Sequence, residues 1–214
     1  MTELPIILAG IAFMTIVLIQ IARKSMLVVE LFVVQSAAVI ALLAWSSRDH
    51  ATLTLVATIL AIVAVKLFVA PFFLKRLIAT HASRFSSSTY LSGPNTLIVL
   101  ALIIALSSSY LFKPLAVIAP GAQTLLFLSI ASLFCALFIV INRQGALSQM
   151  IGILSMENSI VMMALAAGLE QSPALQLGIT FDLLLWVCVA YIFLSLLYRQ
   201  FGSLDVTQLR RLKD

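Results

Sequence analysis

Seven apolar runs fill nearly the whole chain: 4–22, 26–45, 52–74, 94–112, 122–142, 147–167 and 175–198. Each is close to the ~20 residues that a helix needs to cross the hydrocarbon core of a bilayer. A soluble domain carries roughly 45–50% apolar and about 25% charged residues. Here 63% of 214 residues are hydrophobic and 10% are charged, so the sequence specifies an all-α, multi-pass integral membrane protein. The first run has no basic segment before it and no small-residue cleavage site after it, and reads as a retained span. The longest polar stretches are 75–93 and the tail 199–214. Neither is long enough to build a water-soluble domain around a conventional active site.

The basic residues orient the spans. Arg23, Lys24, Lys75, Arg76, Arg84, Arg143, Arg199, Arg210, Arg211 and Lys213 fall on one side, and Arg48 and Lys113 on the other. A ten-to-two split of this kind marks the first side as cytoplasmic. It predicts an external N-terminus, a cytoplasmic C-terminus and an odd number of spans. The net charge of +5 is then a feature of cytoplasmic loops facing lipid headgroups, not of nucleic-acid binding. The expected organisation is an N-terminal three-helix unit with its loop (1–93), a linking helix (94–121), a second three-helix unit (122–198) and a cytoplasmic tail (199–214). Both triplets begin outside, so a repeat between them would be parallel. Generic three-helix similarity would look much the same.

Four ionisable residues lie within the spans: Glu30, Lys66, Glu157 and Asp182. A charge at the bilayer centre costs at least ~2.5–3.5 kcal/mol, and such residues normally face protein or water on an ion or proton path. At ~1.5 Å per residue, Glu157 lies ~15 Å and Lys66 ~12 Å from the cytoplasmic end of their helices. The near match in depth lets the two pair. A pair whose separation changes alters the carboxylate's hold on its proton. The competing reading is helix glue: a protonated Glu157 or a salt bridge that only locks neighbours together. Asn158 follows Glu157, with Ser155 and Ser159 nearby. Asp182 sits in the outer half of the last span beside Thr180. Glu30 lies only ~8 Å from the interface and is either the mouth of a path or an interfacial residue. Gln35, uncharged and deeper, is a candidate relay. Pro71, five residues after Lys66, predicts a kink one turn back. Cys135 and Cys188 lie in apolar runs with no CxxC spacing, and His50 and His81 lie in loops away from them, so no metal or haem ligand set is expected. No Walker A loop or GxGxxG is present.

The C-terminal third carries a resemblance. Arg143 leads into Ile151-Gly152-Ile153-Leu154, with Asn158 four positions on. This segment, 142–214, resembles subunit K of respiratory complex I, whose second helix follows an arginine turn and carries Ile-Gly-Leu-Glu with Asn four residues later. The family's glutamate position holds Leu154, while Glu157 stands close to one turn further along, on roughly the same face. Asp182 is offset by about two residues from that family's carboxylate in the third helix. Ser155-Met-Glu-Asn158, Gly178-Ile-Thr-Phe-Asp182 and the Leu-Asp-Val tail extend the likeness to component E of hydrogenase-4-type complexes, the group 4 membrane-bound [NiFe] hydrogenases that include formate hydrogenlyase variants. Lys24, Gln35 and Lys66 also match that family in position; Glu30 does not. The resemblance implies a subunit of the bacterial or archaeal cytoplasmic membrane, without a cofactor of its own. It would sit beside antiporter-like membrane subunits and a peripheral hydrogenase arm holding nickel–iron and iron–sulfur centres. Glu157, Lys66, Asp182, Asn158, Gln35 and Glu30 are the residues expected to handle protons. A subunit of a multisubunit sodium/proton antiporter and a purely structural membrane adaptor are the alternatives.

Overall fold

A computed structural model describes residues 3–48, 52–80, 89–117, 119–169, 172 and 176–181, and short stretches of a further helix between 184 and 196. The helices are α1 (Glu3–Ile21), α2 (Ser25–Ser46), α3 (Leu53–Val63), α4 (Ala70–Thr80), α5 (Gly93–Ser107), α6 (Gln123–Asn142) and α7 (Ala146–Ala166). A π-helical turn, Ala64–Val69, joins α3 to α4, and a 3₁₀ segment, Tyr110–Val117, follows α5. Among the described residues the only strand-like pairing is an isolated bridge between Thr89 and Arg143.

Among the described residues, five helices are long and apolar enough to cross a membrane: Glu3–Ile21, Ser25–Ser46, Leu53–Ala79, Gln123–Asn142 and Ala146–Ala166. The fourth expected run, 94–112, forms a shorter helix. Its 15 residues span only ~22 Å at the α-helical rise. It stops where Ser107 and Ser108 turn their hydroxyls back onto the carbonyls of Ile103 (2.8 Å) and Ala105 (2.9 Å). Such bonds compete with helix propagation, and Pro114 lies just beyond, inside the 3₁₀ segment. The seventh run, 175–198, is helical at 176–181 and falls partly outside the described residues.

Two helical hairpins form the centre. The pair α1–α2 packs on the pair α6–α7, with α1 against α6 and α2 against α7. The α3–α4 helix lies on α2. Of the long helices α2 and α7 are the most buried, and α3–α4 is the least. Large apolar side chains remain exposed on the outer faces: Met14, Leu18 and Ile21 of α1, Leu60, Phe68 and Phe72 of α3–α4, and Ile98 and Leu102 of α5. A water-facing surface this apolar would aggregate; lipid tails suit it. Helices this uniformly apolar gain little from burying each other in lipid, so close packing and polar contacts hold them. At Gly152, α7 packs tightly against α6. A Cβ there would lie 2.8 Å from Val140 Cγ2, 3.0 Å from Ile139 Cγ2 and 3.1 Å from the Val140 backbone nitrogen.

Candidate proton-handling site

A buried polar axis runs between α2, α7 and the π turn. Lys66 sits in the π turn, only 3% exposed. Its Nζ donates to Asn158 Oδ1 at 2.8 Å and lies 2.7 Å from Glu157 Oε1. Asn158 Nδ2 donates onward to Ser36 Oγ at 3.0 Å. One turn away, Ser155 Oγ donates to Gln35 Oε1 at 2.8 Å, and Gln35 Nε2 donates to the Ser155 carbonyl at 3.4 Å. Ser159 Oγ bonds back to the same carbonyl at 2.8 Å. Gln35, Ser36, Ser155, Asn158 and Ser159 are all fully buried.

The two ends of this axis differ in how well their groups are satisfied. Gln35 and Ser155 exchange bonds in both directions. Glu157 does not share that state. Both its carboxylate oxygens are buried, yet neither accepts a directed hydrogen bond. The contact with Lys66 is an ion pair at short range; the aligned donation from Nζ goes to Asn158. An ionised carboxylate offers about four acceptor sites, so Glu157 retains capacity for a donor such as water or a proton. Its side chain is 23% exposed through its methylenes, with both carboxylate oxygens covered, so Glu157 stands at the edge of the bundle with its acid group turned inward.

The π turn is what positions Lys66. Pro71 has no N–H to offer the Leu67 carbonyl one turn back. The local backbone adopts i→i+5 bonding instead, with the Ala70 N–H on the Val65 carbonyl. The extra residue in that turn changes the phase of everything after it. Lys66 thereby faces α7 on a helix whose neighbours Phe68 and Phe72 face outward.

Of the residues singled out in the sequence, Lys66, Glu157, Asn158 and Gln35 come together. Glu30 does not join them: it is exposed on α2 and shares none of these contacts. It lies five residues before Gln35, about 140° around the helix, so the two cannot share a face. Asp182 and the 202–206 tail lie outside the described residues. Ser36 was missed. Its signal was present, because Gln35 and Ser36 are consecutive polar residues in an otherwise apolar span.

A second polar cluster lies at one end of the bundle. Arg143, in the turn after α6, is 1% exposed. Its Nη2 donates to the carbonyls of Ile19 and, at 2.7 Å, Ala22. These carbonyls close the end of α1, where a helix has acceptors without intrahelical partners and a negative pole. Burial lowers the guanidinium from its ordinary value to about 10, still far above neutrality, so Arg143 remains cationic. Next to it, Asn142 Oδ1 accepts from the Leu91 N–H at 3.0 Å, and Asn142 Nδ2 donates to Thr96 Oγ1 at 3.3 Å. This turn therefore ties together the ends of α1, α6 and α5. Sequence reading placed Arg143 in a basic loop; the structure makes it a buried cap.

With this geometry in view, comparison with known proteins is informative for one part of the chain. Residues 124–214 match the family NADH-ubiquinone/plastoquinone oxidoreductase chain 4L. That match spans α6 and α7, and so takes in Arg143, Gly152, Glu157 and Asn158; Gln35, Ser36 and Lys66 lie before it. A longer similarity covers both parts: the uncharacterized protein Rv0085 of Mycobacterium tuberculosis is 28% identical over 208 residues, 96% of this chain and 94% of that protein. No solved structure matches. The chain is thus a multi-pass membrane protein whose C-terminal part is similar to complex I chain 4L. Its polar axis joins a carboxylate from that part to a lysine and amide from the N-terminal part.

Proposed function

We propose that the chain is a non-catalytic membrane subunit of a redox-driven, ion-translocating complex. The reading is carried by one observation: a carboxylate with unfilled acceptor sites paired at 2.7 Å with a buried lysine, on the helix that belongs to the chain 4L-like part. In its ionised form Glu157 is held by the Lys66 ammonium. Taking up a proton neutralises it and frees Lys66 to rest on Asn158 alone. Releasing the proton toward the bundle edge restores the pair. While Glu157 is neutral, Asn158 gives the Lys66 ammonium a dipole but no counter-charge, so protonation of the pair is opposed by several kcal/mol.

The resemblance to hydrogenase-4 component E gives the finer form of the proposal. The complex is of the membrane-bound [NiFe] hydrogenase or formate hydrogenlyase type, in a bacterial or archaeal cytoplasmic membrane. Antiporter-like subunits flank this chain, and a peripheral arm carries the nickel–iron and iron–sulfur centres. The ten-to-two distribution of basic residues supports a cytoplasmic C-terminus. The reciprocal Gln35–Ser155 bonds favour a second role for that end of the axis, as interhelical glue.

Extraction from native membranes in mild detergent, with identification of the accompanying proteins, tests this. Hydrogenase subunits and antiporter-like membrane subunits are the expected companions. Antiporter subunits alone would reassign the chain to a sodium/proton antiporter, and a chain that purifies alone would overturn both.

A further inference from the structure

A cavity of about 610 Å³ opens at the end of the bundle where Arg143 sits, lined by Gln20, Arg23, Arg143, Ser92, Gly93 and Thr96 among others. Among the described residues, no acidic side chain lines it. Two arginines contribute full positive charges. The N-terminus of α5 adds about half a charge and the C-terminus of α1 subtracts about the same, so the cavity is strongly cationic. The start of α5 is open to a ligand: Ser92 makes no side-chain capping bond, and a Cβ on Gly93 would meet nothing within 4 Å. A third group has a different preference. Gln20 is only 2% exposed, its Nε2 is held by the Cys135 carbonyl at 3.1 Å, and its Oε1 accepts no hydrogen bond. That oxygen calls for a hydroxyl or N–H donor, not an anion.

The cavity lies at the ends of α1 and α5, the depth at which spanning helices meet lipid headgroups. Below it both helices present exposed apolar side chains: Leu18 and Ile21 from α1, Leu97 and Ile98 from α5. A soluble ion would use the cationic pocket and leave these flanks irrelevant; an amphiphile would use both. We propose that the cavity binds the headgroup of an anionic phospholipid that carries free hydroxyls. Its phosphodiester lies at Arg23 and the first turn of α5, a hydroxyl reaches toward Gln20, and the acyl chains run along the flanks of α1 and α5. Arg143 supplies field, with its hydrogen bonds directed to α1. The site is independent of the Lys66–Glu157 axis and of the function proposed for it.

Native mass spectrometry of the protein as purified from its membranes, with whatever subunits accompany it, titrated with phosphatidylglycerol and with phosphatidylcholine, tests this. Phosphatidylglycerol is expected to be retained preferentially. Arg23→Gln is expected to weaken its retention about fivefold, the effect of one basic residue near an anionic headgroup. Arg48→Gln removes the same charge at the opposite end of α2 and is expected to leave retention unchanged. Equal losses in both variants, or none in either, would overturn the site. So would displacement by millimolar inorganic phosphate, which would make it a soluble-anion site, or loss of a protein subunit in Arg23→Gln with lipid retention intact.

Discussion

Lys66 and Arg143 are both nearly inaccessible cations, yet they are used in opposite ways. Arg143 faces backbone carbonyls that never titrate. Its bonds close the end of α1, and its neighbour Asn142 ties in the start of α5. Lys66 faces a carboxyl side chain, Glu157, that lacks directed donors. Burial alone therefore does not separate a working charge from a structural one. The chemistry of the partner does, and so does whether that partner is already satisfied.

The comparison breaks or sharpens under mutation. Lys66→Met leaves Glu157 buried without its counter-ion, and is expected to cost about 3–5 kcal/mol as an ionised carboxylate. Adding Glu157→Gln should return much of that loss, a coupling that reversible unfolding in mixed micelles would read. Arg143→Gln removes charge-assisted bonds to Ile19 and Ala22, for a loss of about 3 kcal/mol. Pairing it with Glu157→Gln should be additive, since the two share no partner; strong coupling between them would dissolve the distinction. Gly152→Ala sits between the two regions. The Val140 backbone nitrogen 3.1 Å away cannot swing aside, so α7 must shift off α6, at about 1–3 kcal/mol, with both clusters disturbed together. Ser36→Ala touches only the axis. It leaves Asn158 Nδ2 without its acceptor and should cost about 1 kcal/mol, with no effect at the Arg143 end.

What could be read from the sequence divides along a physical line. Depth within the bilayer was legible, because it is residue count times helical rise; the match between Lys66 and Glu157 came from that product, and the pair is present. Rotation about the helix axis was not. Helices apolar on all sides carry no polar face to set a phase, so the sequence separates Glu30 from Gln35 by spacing but does not say that Gln35 faces inward and Glu30 outward. The π turn added a phase shift at Lys66 that only Pro71 hinted at. Arg143 was mistaken for a loop cation because its partners are backbone carbonyls at Ile19 and Ala22, which no side-chain pattern reports. The early end of α5 depends on two serines, Ser107 and Ser108, whose hydroxyls bond back to the helix carbonyls, while their neighbours read as one apolar run.

The central claim is that the Lys66–Glu157 pair moves protons, and the most direct measurement is proton translocation per electron transferred in proteoliposomes containing the purified complex with Glu157→Gln. The amide keeps the size of the side chain and removes its charge and its exchangeable acid proton. The account predicts an assembled complex that still transfers electrons while translocation falls at least about tenfold, the scale of losing a positioned proton-transfer group. An assembled complex with unchanged coupling would contradict it and leave the axis as helix glue.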